Sequence, residues 1–79
     1  MKKIHSAEQE KLRELLREMR VGANLTQAGL AARLNVPQSF VSKYEAGERR
    51  LDVLELRQVC AALKVSFVDF ARRLEKALE

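Results

Sequence analysis

Helix start and stop signals divide the chain into five short segments, and they constrain its fold more than any other feature of the sequence. Three segments open on a residue that can cap a helix, followed three positions later by Gln, Glu or Asp; these caps are Ser6, Asp52 and Ser66. Within each segment, apolar residues recur at the spacing of one helix face. The pattern predicts an all-α fold, a compact arrangement of five helices.

The second and third segments lie close together along the chain. The second begins at Thr26, whose hydroxyl can cap a helix, and Asn35 can take the left-handed conformation that ends one. Pro37 fixes its φ at about −65° where the third segment begins, at Pro37 or Gln38. Gly47 supplies the stop after Ala46. Two short helices joined this tightly are expected to cross steeply.

Length and composition favour a single small domain. The chain has 79 residues, of which 47% are hydrophobic and 33% charged. We expect one domain over residues 1–79, with a core of about 6–74 and a final helix that extends to 79. No apolar run approaches the roughly 20 residues of a membrane span, and no apolar stretch follows the basic start. We therefore expect a cytoplasmic protein with no membrane partner.

The basic charge is unevenly placed. The net charge is +4, and residues 51–79 carry five basic and five acidic side chains, so the excess lies in the first two-thirds of the chain. No acidic residue occurs between Met19 and Tyr44. That stretch can approach a polyanion without local repulsion.

The third segment has two different faces at helical spacing. Val41 and Tyr44 point one way, toward an expected core. The opposite face is polar and free of acids; its members are Ser39, Ser42 and Lys43, with Gln38 on its flank. Gln can form two hydrogen bonds with adenine, Lys can reach the acceptors of guanine, and Ser can contact bases or phosphates. Periodicity alone does not decide for DNA, because any surface helix has a polar face.

The order and spacing of the helix start and stop signals are more specific than periodicity. Residues 25–47, LTQAGLAARLNVPQSFVSKYEAG, together with ALKVS at 62–66, resemble the phage-repressor (Cro-like, XRE-type) helix-turn-helix family. The resemblance covers roughly residues 12–74. It implies a five-helix domain whose third helix reads the major groove, in a transcriptional regulator that binds double-stranded DNA.

The resemblance also implies roles for individual residues. The base-facing positions are Gln38, Ser39, Ser42 and Lys43. Gln27, at the start of the second helix, contacts a phosphate and steadies the first of these readers. Arg49 and Arg50 lie near the DNA backbone, whereas Arg20 and Glu45 match a pair that forms an internal salt bridge.

Three residues depart from the family pattern. Gly29 lies inside the second helix at a cost of about 1 kcal/mol relative to Ala. Pro37 occupies a position where the family often has a capping Ser or Thr. Phe40 is large at a position that is usually small and polar. Its side chain can contact a thymine methyl, pack inward, or contact a partner, and the sequence does not choose among these three.

The last segment is more apolar than a small core needs. We expect a homodimer seam there, formed by Phe67, Phe70, Leu74 and Leu78, although the same residues can close the chain's own core. A two-fold dimer would present two reading helices about 34 Å apart, which suits a pseudo-palindromic operator.

No set of residues suggests catalysis or metal binding. His5 is a lone histidine, and Cys60 is the only cysteine and lies in an apolar helical pattern, where a buried, inert thiol is expected. We expect no metal, no cofactor and no enzyme. The alternatives to a regulator are an antitoxin or restriction-modification controller with the same fold, or a protein-interaction module that has lost DNA binding.

Overall fold

The computed structural model describes residues 6–79 and confirms the all-α, five-helix prediction. The helices are α1 (Ala7–Gly22), α2 (Gln27–Leu34), α3 (Gln38–Ala46), α4 (Val53–Ala62) and α5 (Phe67–Leu78). No β-strand occurs in this described part. The expectations about the basic start and about His5 lie outside the described residues.

Side-chain caps begin four of the five helices. The hydroxyls of Ser6, Thr26 and Ser66 each accept a hydrogen bond from the backbone N–H three residues later, at 3.1, 2.9 and 2.9 Å. Asp52 forms a full capping box with Glu55. α3 begins at Gln38, the later of its two predicted starts, because the backbone of Pro37 is extended and Pro37 is the N-cap. Proline makes no side-chain capping hydrogen bond here.

Residues in the left-handed conformation follow four helices. They are Asn24, Asn35, Gly47 and Lys64, with φ between 59° and 81°. The sequence predicts this for Asn35 and Gly47. After α1 the left-handed residue is Asn24, and after α4 it is Lys64, a residue type that adopts this conformation only at a cost.

The core is built from all five helices. Its buried members are Leu16, Leu30, Ala31, Val41, Tyr44, Val59, Cys60, Leu63 and Phe70. Cys60 is buried as expected, and burial raises the pKa of its thiol. The dimer-seam prediction is wrong for one residue: Phe70 is 1% exposed, because its ring packs inside the monomer, so it offers no surface to a partner.

The packing leaves one side of α3 open. α3 packs against α2 and α1, while α4 packs against α2 and α5, and α5 returns to α1. Residues 35–37 alone connect α2 to α3. Helix α3 is therefore seated on two neighbours along its inner face, and residues of its outer face are exposed. None of the described helices is long and apolar enough to span a membrane.

Candidate nucleic-acid interface

The outer face of α3 carries the four predicted reading residues. Gln38, Ser39 and Lys43 are exposed and Ser42 is partly exposed, whereas Val41 and Tyr44 are buried on the opposite face. The hydroxyl of Ser42 donates to the backbone carbonyl of Ser39 at 3.3 Å, within the same helix. The division into an inner and an outer face is thus the one that the sequence predicts, and the outer face bears no carboxylate among these four residues.

A buried ion pair fixes the orientation of α3. Arg20 of α1 is 8% exposed, and its Nε donates to Oε2 of Glu45 at 2.7 Å while its Nη2 donates to Oε1 at 3.1 Å. A third nitrogen, Nη1, donates to the carbonyl of Leu25 at 2.8 Å. The hydrogen bond to Glu45 raises the pKa of Arg20. The internal salt bridge implied by the family resemblance is present, and it joins α1 to the C-terminal turn of α3.

Gln27 belongs to the same network. Its side-chain nitrogen donates to Oε1 of Glu45 at 3.0 Å, so one carboxylate serves residues of α1 and α2 together. The expected link from Gln27 to Gln38 is not among the hydrogen bonds of the described residues; the amide of Gln27 turns toward Glu45 instead. A primary amide has two N–H donors, so one remains for another acceptor.

Arg49 is engaged more fully than the sequence suggests. Its Nη1 and Nη2 donate to the two carboxylate oxygens of Glu55 at 2.9 and 2.8 Å. Its guanidinium carbon lies 4.4 Å from the centre of the Phe40 ring, within the range of a cation–π contact. The hydrogen bond from Arg49, with a second from the backbone of Asp52, lowers the pKa of Glu55 to about 2.

These contacts resolve the position of Phe40. The ring is partly buried against the core, and it meets the ring of Tyr44 edge-on, with centroids 5.9 Å apart and planes at 78°. Of the three possibilities left open, the structure shows inward packing. The ring of Phe40 also packs against the guanidinium of Arg49, so this large residue connects α3 to the loop that follows it.

Two contacts lie beyond what the sequence predicts. Glu55 completes the capping box of Asp52, and it also holds Arg49. Its sequence signal is a carboxylate at the start of α4 that directly follows an arginine-rich loop. Arg33 of α2 donates to the carbonyl of Ala62 at 2.9 Å and fastens the end of α4 to α2.

Two short helices joined by three residues, with an exposed polar face on the second, define a helix-turn-helix protein. The family model described as Helix-turn-helix matches residues 16–70, most of the chain. The chain belongs to this family of DNA-binding regulators, in its XRE type.

Solved structures share the whole arrangement. An XRE-family like protein from Pseudomonas syringae pv. tomato str. DC3000 is 46% identical, with a TM-score of 0.85 over 92% of this chain and 89% of that one. The wild-type restriction-modification controller protein C.Esp1396I is 27% identical, with a TM-score of 0.86 over 94% and 95% of the two chains. The structure of the C.Esp1396I tetramer in complex with its natural 35 base-pair operator is also similar. Its chain is 27% identical, with a TM-score of 0.84 over 92% of this chain and 96% of that one. A search of the curated proteins gives no match.

Proposed function

We propose that this protein binds a pseudo-palindromic operator sequence-specifically as a homodimer and regulates transcription, with α3 lying in the major groove. The observation that carries the proposal is the division of α3 into a buried face and an acid-free polar face. A helix that enters the groove needs donors and acceptors for base edges and no carboxylate opposite a phosphate. α3 meets both needs while its inner face is anchored in the core.

The base-reading residues are Gln38, Ser39, Ser42 and Lys43. Gln38 and Ser39 occupy the first turn of α3, the part of a reading helix that enters the groove first. Lys43 lies one turn further on and is exposed, so its ammonium group is free to reach an acceptor of guanine. The hydroxyl hydrogen of Ser42 is held by the helix backbone, which leaves its oxygen to act as an acceptor.

The phosphate contacts come from Gln27, Arg49 and Arg50. Gln27 is the first residue of α2, where the helix dipole favours an anion, and its second N–H donor is available. Arg49 and Arg50 follow the end of α3 in the chain, and the guanidinium of Arg49 lies over Phe40 of that helix. Together they flank the reading helix with positive charge, which attracts the DNA backbone.

The surface for the homodimer lies on α4 and α5 rather than on α5 alone. Phe70 is removed from the predicted seam, while Phe67, Leu74 and Leu78 are partly buried. Val68 is 60% exposed and lines a shallow groove with Phe67 and Ala61 of α4. The second copy of this chain is the proposed occupant, because the controller of similar structure is found as a tetramer on its operator. Sedimentation at micromolar concentration tests it: a 9.0 kDa species alone contradicts the dimer.

The reading residues can be tested on an operator selected from a random DNA pool. We expect Lys43→Ala to weaken operator binding by about 1–3 kcal/mol, or roughly 5- to 150-fold, with a smaller effect on unrelated DNA. Lys76→Ala is the matched control, since it removes the same charge from the exposed surface of α5. Equal losses in both variants, or no loss for Lys43→Ala and Gln38→Ala, would contradict the assignment.

A restriction-modification controller is the second candidate. It is favoured by the likeness to C.Esp1396I over nearly the full length of both chains. The operator selected from the random pool distinguishes the two, because a controller's site would lie upstream of restriction or modification genes. A protein-interaction module that has lost DNA binding would show no steep loss of binding as salt rises.

A further inference from the structure

The guanidinium of Arg49 is held on two edges and one face. Nη1 donates to the carbonyl of Arg50 at 3.0 Å and to Oε1 of Glu55 at 2.9 Å, and Nη2 donates to Oε2 of Glu55 at 2.8 Å. One face of the group lies over the ring of Phe40. Three of its five N–H donors are therefore in use.

The two remaining donors form a pair. They are the Nε–H and the second N–H of Nη2, which lie parallel on the side edge of a guanidinium and match two oxygens of a phosphate. Nε is not among the buried, unpartnered side-chain atoms of the described residues, and the Arg49 side chain as a whole is 36% exposed. Arg49 thus presents a two-pronged donor beside the reading helix before any ligand is bound.

The carboxylate of Glu55, which holds Arg49, is itself held in place at the start of α4. Oε1 of Glu55 also accepts from the backbone N–H of Asp52 at 3.0 Å, and the Asp52 carboxylate accepts from the backbone N–H of Glu55 at 2.7 Å. Phe40, on the other side, rests on the buried Tyr44. Arg49 is consequently tied to α4 through Glu55 and to α3 through Phe40.

We propose that Glu55 is a positioning residue for DNA binding, which holds Arg49 so that its Nε–H and Nη2–H donors grip one phosphate of the operator while the Arg49–Glu55 pair stays intact. The inference rests on the proposed function. An arginine that is ordered beforehand loses less conformational freedom on binding. We expect this grip to form only in the register in which α3 also reaches its bases, so that its loss falls on operator binding.

The carboxylate has an opposite effect on binding without sequence preference. That binding depends on net positive charge near the phosphates, and Glu55 reduces this charge. Removal of the Glu55 charge therefore separates the two effects: operator binding falls because Arg49 is released, whereas binding to unrelated DNA is unchanged or rises.

The test compares Glu55→Gln with wild type on the selected operator and on a scrambled duplex at one salt concentration. Glutamine keeps one oxygen for the Asp52 N–H but loses the charge and the second acceptor. We expect the ratio of operator to scrambled affinity to fall by about tenfold, the scale of one ordered arginine side chain. Glu14→Gln, an exposed residue of α1 with the same charge change and outside the proposed dimer surface, should leave the ratio unchanged. An equal rise of both affinities in Glu55→Gln overturns the inference.

A second variant removes the two-pronged donor and keeps the charge. Arg49→Lys should lower the ratio to the same degree, and Glu55→Gln should have little further effect in the Arg49→Lys background, because both changes act on one contact. Full additivity of the two losses overturns the proposal. Thermal unfolding of each variant shows that the assays are made on folded protein.

A measurement without DNA separates positioning from a charge effect. The ¹⁵N relaxation of Arg49 Nε in the free protein should report a rigid side chain in wild type and a mobile one in Glu55→Gln. Equal mobility in both overturns the inference. If wild type binds no duplex from the random pool, the proposed function fails and the DNA role of Glu55 with it. If wild type is selective and the ratio does not move, only the positioning role is wrong.

Discussion

Arg20 and Glu45 meet through two parallel hydrogen bonds inside the protein, with side chains that are only 10% and 5% exposed. Their positions in sequence are 25 residues apart, so the pair closes a loop that contains all of α2 and nearly all of α3. With Gln27 as a third member, it joins α1 and α2 to the C-terminal turn of α3. The buried charges are tolerated because each has hydrogen-bonded partners.

Loss of the Glu45 carboxylate should be costly. Glu45→Ala leaves the Arg20 guanidinium buried without its counter-charge, and we expect the free energy of unfolding to fall by about 3–5 kcal/mol. Urea unfolding followed by circular dichroism measures the change. Glu75→Ala, at an exposed position of α5, is the control and should change stability by less than about 0.5 kcal/mol. Similar small losses in both variants would show that the pair is dispensable.

Removal of the Tyr44 hydroxyl should not weaken the fold. The oxygen is buried and has no hydrogen-bond partner among the described residues, and burial raises the pKa of the group. A buried hydroxyl that makes no hydrogen bond costs about 1–3 kcal/mol of desolvation, so Tyr44→Phe is expected to leave stability unchanged or to raise it. Thermal unfolding tests this. A drop of more than about 1 kcal/mol would mean that the hydroxyl is satisfied after all.

Acid should weaken the Arg49–Glu55 contact in a defined range. The pKa of Glu55 is lowered to about 2 from an ordinary value of 4.5, so the folded state holds the carboxylate ionised where the unfolded chain would protonate it. The stabilisation from this group is complete above pH 4.5 and is lost as the pH falls toward 2. Stability curves measured by urea unfolding between these limits should be flatter for Glu55→Gln than for wild type. Parallel curves would contradict the assignment.

A single backbone position offers a gain in stability. Lys64 has a φ of 61°, a left-handed backbone conformation that is unfavourable for residues with a Cβ. Lys64→Gly should raise the free energy of unfolding by about 0.5–1 kcal/mol, since relief of the strain outweighs the extra freedom of glycine in the unfolded chain. Thermal unfolding provides the measurement, with Lys76→Gly inside α5 as a control that should be destabilising. Loss of stability in Lys64→Gly would show that no strain is stored there.

The helices could be predicted because their signals are local. A hydroxyl or carboxylate three residues before a backbone N–H acts within one turn, so Ser6, Thr26, Asp52 and Ser66 mark four helix starts without knowledge of the fold. The two faces of α3 follow from periodicity in the same way. The sequence therefore predicts correctly that the outer face of α3 lies at the surface.

The contacts between elements could not be predicted in this way. Periodicity assigns Phe70 to an apolar face but does not say whether that face meets the core or a second subunit, and the structure places it in the core. The partner of Gln27 depends on where the carboxylate of Glu45 lies after α1, α2 and α3 have packed. The Arg49 contact depends on two elements at once, Phe40 of α3 and Glu55 of α4.

The residues that anchor α3 to the rest of the domain, around Glu45, are different from the residues that α3 exposes at the surface. Within residues 6–79, none of the hydrogen bonds that join α3 to α1 and α2 comes from Gln38, Ser39 or Lys43. If α3 reads DNA as we propose, substitutions at these three positions can change the DNA preference while the domain stays folded. The same scaffold could then acquire new target sites by a few changes on one helix, with little penalty in stability.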